Sequence, residues 1–149
     1  FPDQPKDSLF MQWKANHLSA FGKRLYDAVK STRKDCIVSW APSIFPWSKE
    51  EYLQDWPAWL KGGYADWIIP QLYRYNLPAY EKILKQLRSQ IPDTLMGKVF
   101  PGLLTSLGDG YQADADLMKS MIRLNREYGF EGEVFFYFET LNRVSFNLY

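Results

Sequence analysis

The chain has 149 residues and a formal net charge of +1, with 46% hydrophobic and 23% charged residues. This size suits one domain with a sizeable core, and this balance is typical of a globular protein rather than a disordered one. The near-neutral charge argues against nucleic acid or an anionic membrane as a partner, and no apolar run is long enough to span a bilayer. A single cysteine, Cys36, excludes an internal disulfide and a cysteine-built metal site.

Helical and strand patterns alternate from the start of the chain. The first helix is predicted by apolar residues that recur every three or four positions: Leu18, Phe21, Leu25 and Val29. A strand is predicted over 36–40. In the helix that follows, Ser48 and Glu51 form a predicted capping box, and the helix restarts at Pro57 and ends at 62–63.

The same alternation continues through the second half. The remaining strands are predicted over 66–73, 98–104 and 133–138. Asn76 and Pro78 open the helix between the first two of these strands. The next helix begins near Asp114 and ends at Gly129.

The spacing of the strands predicts the fold class. They begin about 30 residues apart, and strands joined through helices run parallel. No Gly-rich phosphate loop follows a strand, so a dinucleotide-binding fold is disfavoured. Four such units form either a small open α/β sheet or the C-terminal half of a (β/α)₈ TIM barrel. We expect the half barrel, a single partial domain over 1–149 from helix 4 to strand 8, because the chain opens on a helix without a start methionine.

Candidate catalytic residues follow the strands, where parallel α/β folds gather their chemistry. By strand alternation Tyr137 and Glu139 share one face of the fourth strand. A carboxyl at the end of so apolar a run is costly to desolvate and holds its proton to higher pH, which suits a general acid. The alternatives for Glu139 are a helix N-cap or an ion pair with Arg143. Asp109, in a Gly-flanked loop, is the candidate second carboxylate or a turn cap.

The candidate substrate-binding residues are Tyr137 and five others. Gln71 and Tyr73 share a face of the second strand and end in groups that suit sugar hydroxyls. Arg74 points the other way, toward an anionic substrate group or a nearby acid. Trp40 and Trp47 are candidate stacking platforms in a chain that is 17% aromatic. Each also has a structural alternative, because aromatic and polar side chains serve cores and interfaces equally well.

Other chemistry-bearing residues are interpreted as structural. His17 lacks a second ligand, so no metal is expected. Asp66 precedes a strand, at the end opposite to catalysis, and Asp55 is placed to cap a helix. Cys36 starts a strand and is expected to be buried and inert. Trp67 is expected to lock helices to the sheet, together with Trp56 and Trp59.

Several segments together resemble glycosyl-hydrolase-like family ten. They are 38–43, 53–59, 66–74, 125–129 and 135–139, of which Pro70-Gln71-Leu72-Tyr73-Arg74 is the most specific. The resemblance covers nearly the whole chain. It implies a TIM barrel related to retaining glycosidases, in a secreted, periplasmic or cell-envelope protein. It also implies an Asp-Asp pair at the end of the fourth barrel strand, which would lie upstream of Phe1.

The resulting hypothesis is part of a glycoside hydrolase that acts on a polysaccharide or cell-envelope glycan. Because such enzymes use two carboxylates, the catalytic set is expected to be incomplete in this chain. The expected partner is a carbohydrate substrate, with no cofactor, nucleic acid or membrane span. One alternative is a non-catalytic carbohydrate-binding module. Another is an assembly protein in which two isolated half barrels pair as a homodimer and bury their sheet edges.

Overall fold

The computed structural model describes residues 4, 6–107 and 110–141. These residues form two compact units, of which the first ends at Ile68 and the second begins at Ile69. The helices are α1 (Ser8–Thr32), α2 (Trp47–Tyr52), α3 (Trp56–Gly62), α4 (Leu77–Ser89), a 3-10 helix (Asp93–Lys98), α5 (Ala115–Glu127) and α6 (Phe138–Leu141). The strands are β1 (Ser39–Trp40), β2 (Trp67–Ile68), β3 (Gly102–Leu104), β4 (Ser106–Leu107), β5 (Tyr111–Gln112) and β6 (Val134–Phe136).

Helices α1 and α3 of the first unit form where the sequence predicts helices. The Asp7 side chain accepts a hydrogen bond from the Phe10 amide at 2.9 Å and caps α1. Pro57 lies in the first turn of α3, where its missing N–H costs nothing. Gly63 ends the helix with a φ of 74°, a left-handed conformation that glycine adopts without steric cost.

The predicted capping box of α2 is wrong. The helix begins at Trp47, one residue after Pro46, so Ser48 lies inside its first turn. The Ser48 amide already donates to the Ile44 carbonyl at 2.8 Å. Its hydroxyl is buried and donates to the Gln54 carbonyl at 2.9 Å, so the side chain ties the helix to the following turn instead of capping it.

Strands β1 and β2 pair in parallel, as predicted, but each has only two residues. The strand predicted over 36–40 begins too early. The Cys36 amide donates to the Arg33 carbonyl at 3.1 Å, which places Cys36 in the turn that leaves α1. Its side chain is exposed, so the expectation of a buried Cys36 is also wrong.

Asp66, next to β2, fastens α1 to β1. Its carboxylate accepts hydrogen bonds from the Tyr26 hydroxyl at 3.0 Å and the Val38 amide at 2.7 Å, and it pairs with Lys30 at 2.6 Å. Burial alone raises the pKa of Asp66, but these three partners outweigh burial and hold the pKa below its usual value. The position before the strand and this set of partners give Asp66 a structural role.

In the second unit, three segments of chain run in parallel. Gly102 of β3 lies opposite Val134 of β6, and Leu104 lies opposite Phe136. On the other side of β3, Gln71 forms a parallel bridge with Gly102. The predicted parallel arrangement is therefore confirmed, although the observed strands are shorter than the predicted ones.

Helices α4 and α5 begin where the sequence predicts them to begin, and each has a side-chain cap. The Asn76 side chain accepts from the Ala79 amide at 2.9 Å, and the Asp114 side chain accepts from the Leu117 amide at 2.7 Å. The two helices pack against each other. The buried side chains that they contribute are Tyr80, Ile83, Leu84, Leu87, Met118, Met121 and Asn125.

The buried face between α4 and α5 contains one polar pair. The Tyr80 hydroxyl donates to the Asn125 side-chain oxygen at 2.6 Å, and both residues are fully buried. Burial raises the pKa of Tyr80, since the phenolate would be out of water. The hydrogen bond satisfies a hydroxyl that would otherwise be costly to bury.

We expect Asp66→Asn to lower the free energy of unfolding at neutral pH by about 1–2 kcal/mol, because the charged hydrogen bonds to Lys30 and Val38 are lost. The depressed folded-state pKa stabilises the wild type above the unfolded pKa of ~3.9, and this contribution disappears as the pH falls through the folded-state value. Urea unfolding at a series of pH values from neutral to acidic should show that the difference in unfolding free energy between the wild type and Asp66→Asn becomes smaller as the pH falls. Asp27→Asn, at an exposed pair with Lys23, is the control and should cost less than about 1 kcal/mol.

Gly102→Ala should lower the free energy of unfolding by about 1–3 kcal/mol, because the added Cβ overpacks the sheet. That Cβ would lie 2.9 Å from the Pro70 carbonyl oxygen, a backbone atom that cannot rotate away. At the control position, Gly97, an added Cβ meets nothing closer than Glu131 at 3.9 Å. Equal urea midpoints for the two alanine variants would contradict the prediction.

Candidate functional site

The carboxyl ends of the three parallel segments of the second unit lie side by side. The Gly102 amide donates to the Pro70 carbonyl at 2.8 Å, and the Leu72 amide donates to the Gly102 carbonyl at 3.0 Å. On the opposite side, the Thr105 amide donates to the Phe136 carbonyl at 2.8 Å. The residues that come directly after these paired segments in the chain lie at one edge of the sheet. Parallel α/β folds place their active sites at this edge.

Three aromatic rings pack together at this edge. Tyr73 stacks on Phe136 with the ring centroids 5.4 Å apart and the planes at 30°. Tyr137 meets Phe136 at 5.3 Å and 61°. Phe136 keeps 46% of its surface exposed, so the packed rings still present an apolar face to solvent. Burial raises the pKa of Tyr73, which keeps its hydroxyl protonated and able to donate.

Two fully buried threonines, Thr105 and Thr140, contact the backbone that carries two of these rings. Their two hydroxyl oxygens lie within hydrogen-bond distance of each other, and the single proton of the Thr105 hydroxyl is donated either to Thr140 or to the Phe136 carbonyl at 2.7 Å. The Thr140 hydroxyl donates to the Tyr137 carbonyl at 2.7 Å. Because Thr140 belongs to α6, this pair holds the beginning of α6 against the end of β3. We call Tyr73, Phe136, Tyr137, Thr105 and Thr140 the strand-end cluster.

Glu139 lies on α6 and not on a strand, which corrects the predicted geometry. Strand β6 ends at Phe136, so the alternation that put Tyr137 and Glu139 on one strand face does not extend to them. The Glu139 side chain is exposed, and the predicted desolvation is therefore wrong for this structure. Glu139 lies in the first turn of α6 and directly precedes Thr140 of the strand-end cluster in the chain. The catalytic role of Glu139 stays a prediction.

The other predicted residues of the second unit have different surroundings. Gln71 forms the bridge to β3 and is half-buried. The Arg74 guanidinium donates to the neighbouring Tyr73 carbonyl at 2.7 Å, so it is held at the end of the strand. Asp109 and Arg143 lie outside the described residues.

The two predicted stacking platforms, Trp40 and Trp47, belong to the first unit. Trp40 packs on Trp59 at 5.6 Å, and its indole nitrogen donates to the Tyr64 carbonyl at 3.3 Å, which makes it mainly a packing residue. Trp47 is 49% exposed and meets Tyr52 edge to face at 4.9 Å. Of the two, only Trp47 offers a ring that a ligand could cover.

Sequence reasoning missed a second aromatic pair near the strand-end cluster. Tyr75 and Tyr111 meet with centroids 4.6 Å apart and planes at 57°. Tyr111 lies on β5, which pairs with β4 in an antiparallel hairpin where a loop was predicted. The dipeptide Asp109-Gly110 between Leu107 and Tyr111 is a known hairpin signal and could have revealed it.

Two findings bear on metals and membranes. Across residues 6–107 and 110–141, no group of three or more His, Cys, Asp or Glu side chains could hold a metal ion. Among the helices of the same described residues, none is long and apolar enough to cross a bilayer.

The comparison with protein families identifies the group to which the chain belongs. The model of the family Glycosyl hydrolase-like 10 matches residues 1–111, so the chain belongs to that family, and the resemblance noted in the sequence is confirmed. No curated protein matches the chain.

A solved structure resembles the chain over most of its length. The PgaB (BpsB) glycoside hydrolase domain from Bordetella bronchiseptica matches with a TM-score of 0.70 and 16% sequence identity. The match covers 91% of this chain and 40% of the solved chain, so the chain spans about two fifths of that structure. At this identity the likeness shows the fold, which is that of part of a glycoside hydrolase domain. The predicted α/β half-barrel class is thereby confirmed.

Thr140→Val should destabilise the second unit by about 1–3 kcal/mol, because it removes a buried hydroxyl that contacts Thr105 and donates to the Tyr137 carbonyl. Thr140→Ser keeps the hydroxyl and should cost less. Urea unfolding of the two variants tests this, and a serine variant no more stable than the valine variant would contradict the assigned role.

Proposed function

We propose that this chain is the glycan-binding half of a glycoside hydrolase domain that acts on a polysaccharide or cell-envelope glycan. The observation that carries the proposal is the strand-end cluster, in which stacked aromatic rings lie beside a helix that bears an exposed carboxylate. Membership of a glycosyl-hydrolase-like family supports the proposal. The fold shared with a glycoside hydrolase domain agrees with it.

The cluster has the two kinds of surface that a sugar ring requires. A pyranose presents an apolar face of C–H groups, which packs on aromatic rings such as that of Phe136. Its rim of hydroxyls needs donors and acceptors, and the phenols of Tyr73 and Tyr137 can act as both. Gln71 and Arg74 belong to the same segment of the chain as Tyr73. We propose that they add hydrogen bonds at the edge of the site. Trp47, in the first unit, stays a predicted stacking residue.

In the proposed reaction Glu139 is the acid/base. Its carboxyl donates a proton to the glycosidic oxygen as the bond from that oxygen to the anomeric carbon breaks. A water molecule then adds to that carbon and gives its proton to the Glu139 carboxylate, which restores the acid. Because Glu139 is exposed, the bound glycan must itself exclude water from the carboxyl. The second carboxylate that such a reaction needs is assigned to Asp109 or to a residue of the protein outside this chain.

Glu139→Gln, made in the protein that carries this chain, should lower kcat for glycan hydrolysis by about 100-fold or more, since the amide cannot transfer the proton. Stability should change little, because the side chain is exposed and packs against little. Release of reducing ends from a panel of polysaccharides measures the activity. The matched control is Glu131→Gln, an exposed carboxylate that precedes β6 and lies away from its carboxyl end.

Three outcomes of this experiment separate the hypotheses. Loss of activity in Glu139→Gln alone supports the acid/base role. Full activity in both variants removes Glu139 from the mechanism. Glycan binding by a wild-type protein that never releases reducing ends would favour the non-catalytic binding module.

A further inference from the structure

One flank of α1 has packing partners within the first unit. The Trp59 indole of α3 donates to the Ser19 hydroxyl at 2.8 Å, and the Tyr26 hydroxyl donates to Asp66, next to β2, at 3.0 Å. Ser19 and Tyr26 are about two helical turns apart, so they share this flank. Gly22 lies between them on the helix and is buried, and the nearest atom to a Cβ added there belongs to β1, at 3.7 Å.

The opposite flank of α1 is apolar and open to solvent. Leu18, Phe21 and Leu25 are spaced three and four residues apart, so they form one stripe along the helix. At about 100° per residue, Phe21 and Leu25 lie on the side of Gly22 that faces away from Ser19. Phe21 is 52% exposed and Leu25 is 37% exposed. We call Leu18, Phe21 and Leu25 the open flank.

The open flank differs from the outer face of α1. Lys23 and Asp27 form an exposed ion pair on that outer face. Leu9, which is 80% exposed, precedes Asp27 by about five helical turns and therefore shares the outer face. A contiguous apolar stripe beside the packed side of a helix is typical of a surface that another element covers.

Strand β1 has a free edge on the side away from β2. In the described part of the chain, β1 pairs with β2 alone. The Trp67 amide donates to the Val38 carbonyl at 3.3 Å, and Ser39 lies opposite Trp67. Because successive residues of a strand direct their amide and carbonyl groups to opposite sides, those of Ser39 point away from β2. Ser39 is exposed, and a free edge of this kind can pair with another strand.

The fold indicates what covers both features. In a closed (β/α)₈ barrel no strand has a free edge, and the helices form a continuous ring around the strands. The open flank and the free edge both lie away from β2 and α3, where the next strand and helix of such a ring belong. The match covers 40% of the solved glycoside hydrolase chain, so more than half of that chain lies outside the match and includes elements that this chain lacks.

We infer that the open flank of α1 and the free edge of β1 form one interface with the part of the hydrolase domain that lies outside this chain. That part supplies a parallel strand to β1 at Ser39 and an apolar helix face to Phe21 and Leu25. The inference rests on the half-barrel part of the proposed function and not on glycan binding or hydrolysis, so the two can fail separately.

Thiol labelling in the protein that carries this chain tests the helix contact. Leu25→Cys and Leu9→Cys are matched variants, since each replaces a leucine of α1 by the same residue. With the open flank covered, maleimide should modify position 25 at least about tenfold more slowly than position 9, because a thiol reacts only where it is accessible. Peptide mass mapping reads each position separately from Cys36. Phe21→Cys repeats the measurement on the same flank and keeps the test valid if Leu25→Cys folds poorly.

Hydrogen exchange in the same protein tests the strand contact. The Ser39 amide should exchange at least about 100-fold more slowly than an unstructured amide, because a paired strand protects it. Exchange at the unstructured rate would overturn the inference.

Two labelling outcomes would also overturn the inference. One is a rate at positions 21 and 25 within about threefold of that at position 9, which the exposure in this chain alone predicts. The other is protection that disappears on dilution, because a second copy of the protein would then be the cover. None of these measurements uses a glycan. A protein that shows both kinds of protection but binds no glycan would overturn the proposed glycan binding and leave the interface standing.

Discussion

The arrangement of the candidate site depends on the backbone of Gly102. This residue bridges to Gln71 on one side of β3 and lies opposite Val134 of β6 on the other. The first contact is so close that a Cβ at this position would reach the Pro70 carbonyl oxygen. Since all three segments run in the same direction, their carboxyl ends meet, and the residues after them are brought together. The absence of a side chain at Gly102 therefore lets the segment that carries Gln71 lie close beside β3.

Hydrogen bonds from side chains hold neighbouring elements together, as the backbone hydrogen bonds of long strands do in larger sheets. The observed strands have two or three residues each, so few ladder hydrogen bonds hold them. In the first unit the Asp66 carboxylate joins α1 to the start of β1. In the second unit the buried hydroxyls of Thr105 and Thr140 join β3 to α6. At both sites the polar side chains have hydrogen-bond partners, and paired polar groups of this kind make a structure specific.

Local signals in the sequence predicted some features of the fold and failed for others. The beginnings of α4 at Asn76 and of α5 near Asp114 were predicted because the start of a helix depends on only the few residues around it. Parallel pairing followed from the regular spacing of strands and helices. The assignment of Glu139 to a strand failed because the apolar run continues past Phe136, and only the threonine contacts mark where the strand ends. Likewise Ser48 resembles a cap, but the turn at Pro46 starts the helix earlier.

The exposed thiol of Cys36 has a practical consequence. It is the only cysteine in the sequence, and it lies in the turn after α1, at a distance along the chain from every residue of the strand-end cluster. A maleimide dye or spin label would therefore attach at one known place in the first unit without mutagenesis. Its signal would follow the local unfolding of that unit, as would the emission of the six tryptophans, which all lie there, while far-UV circular dichroism reports on the helices of both units. The two signals would show whether the units unfold in one transition or in two.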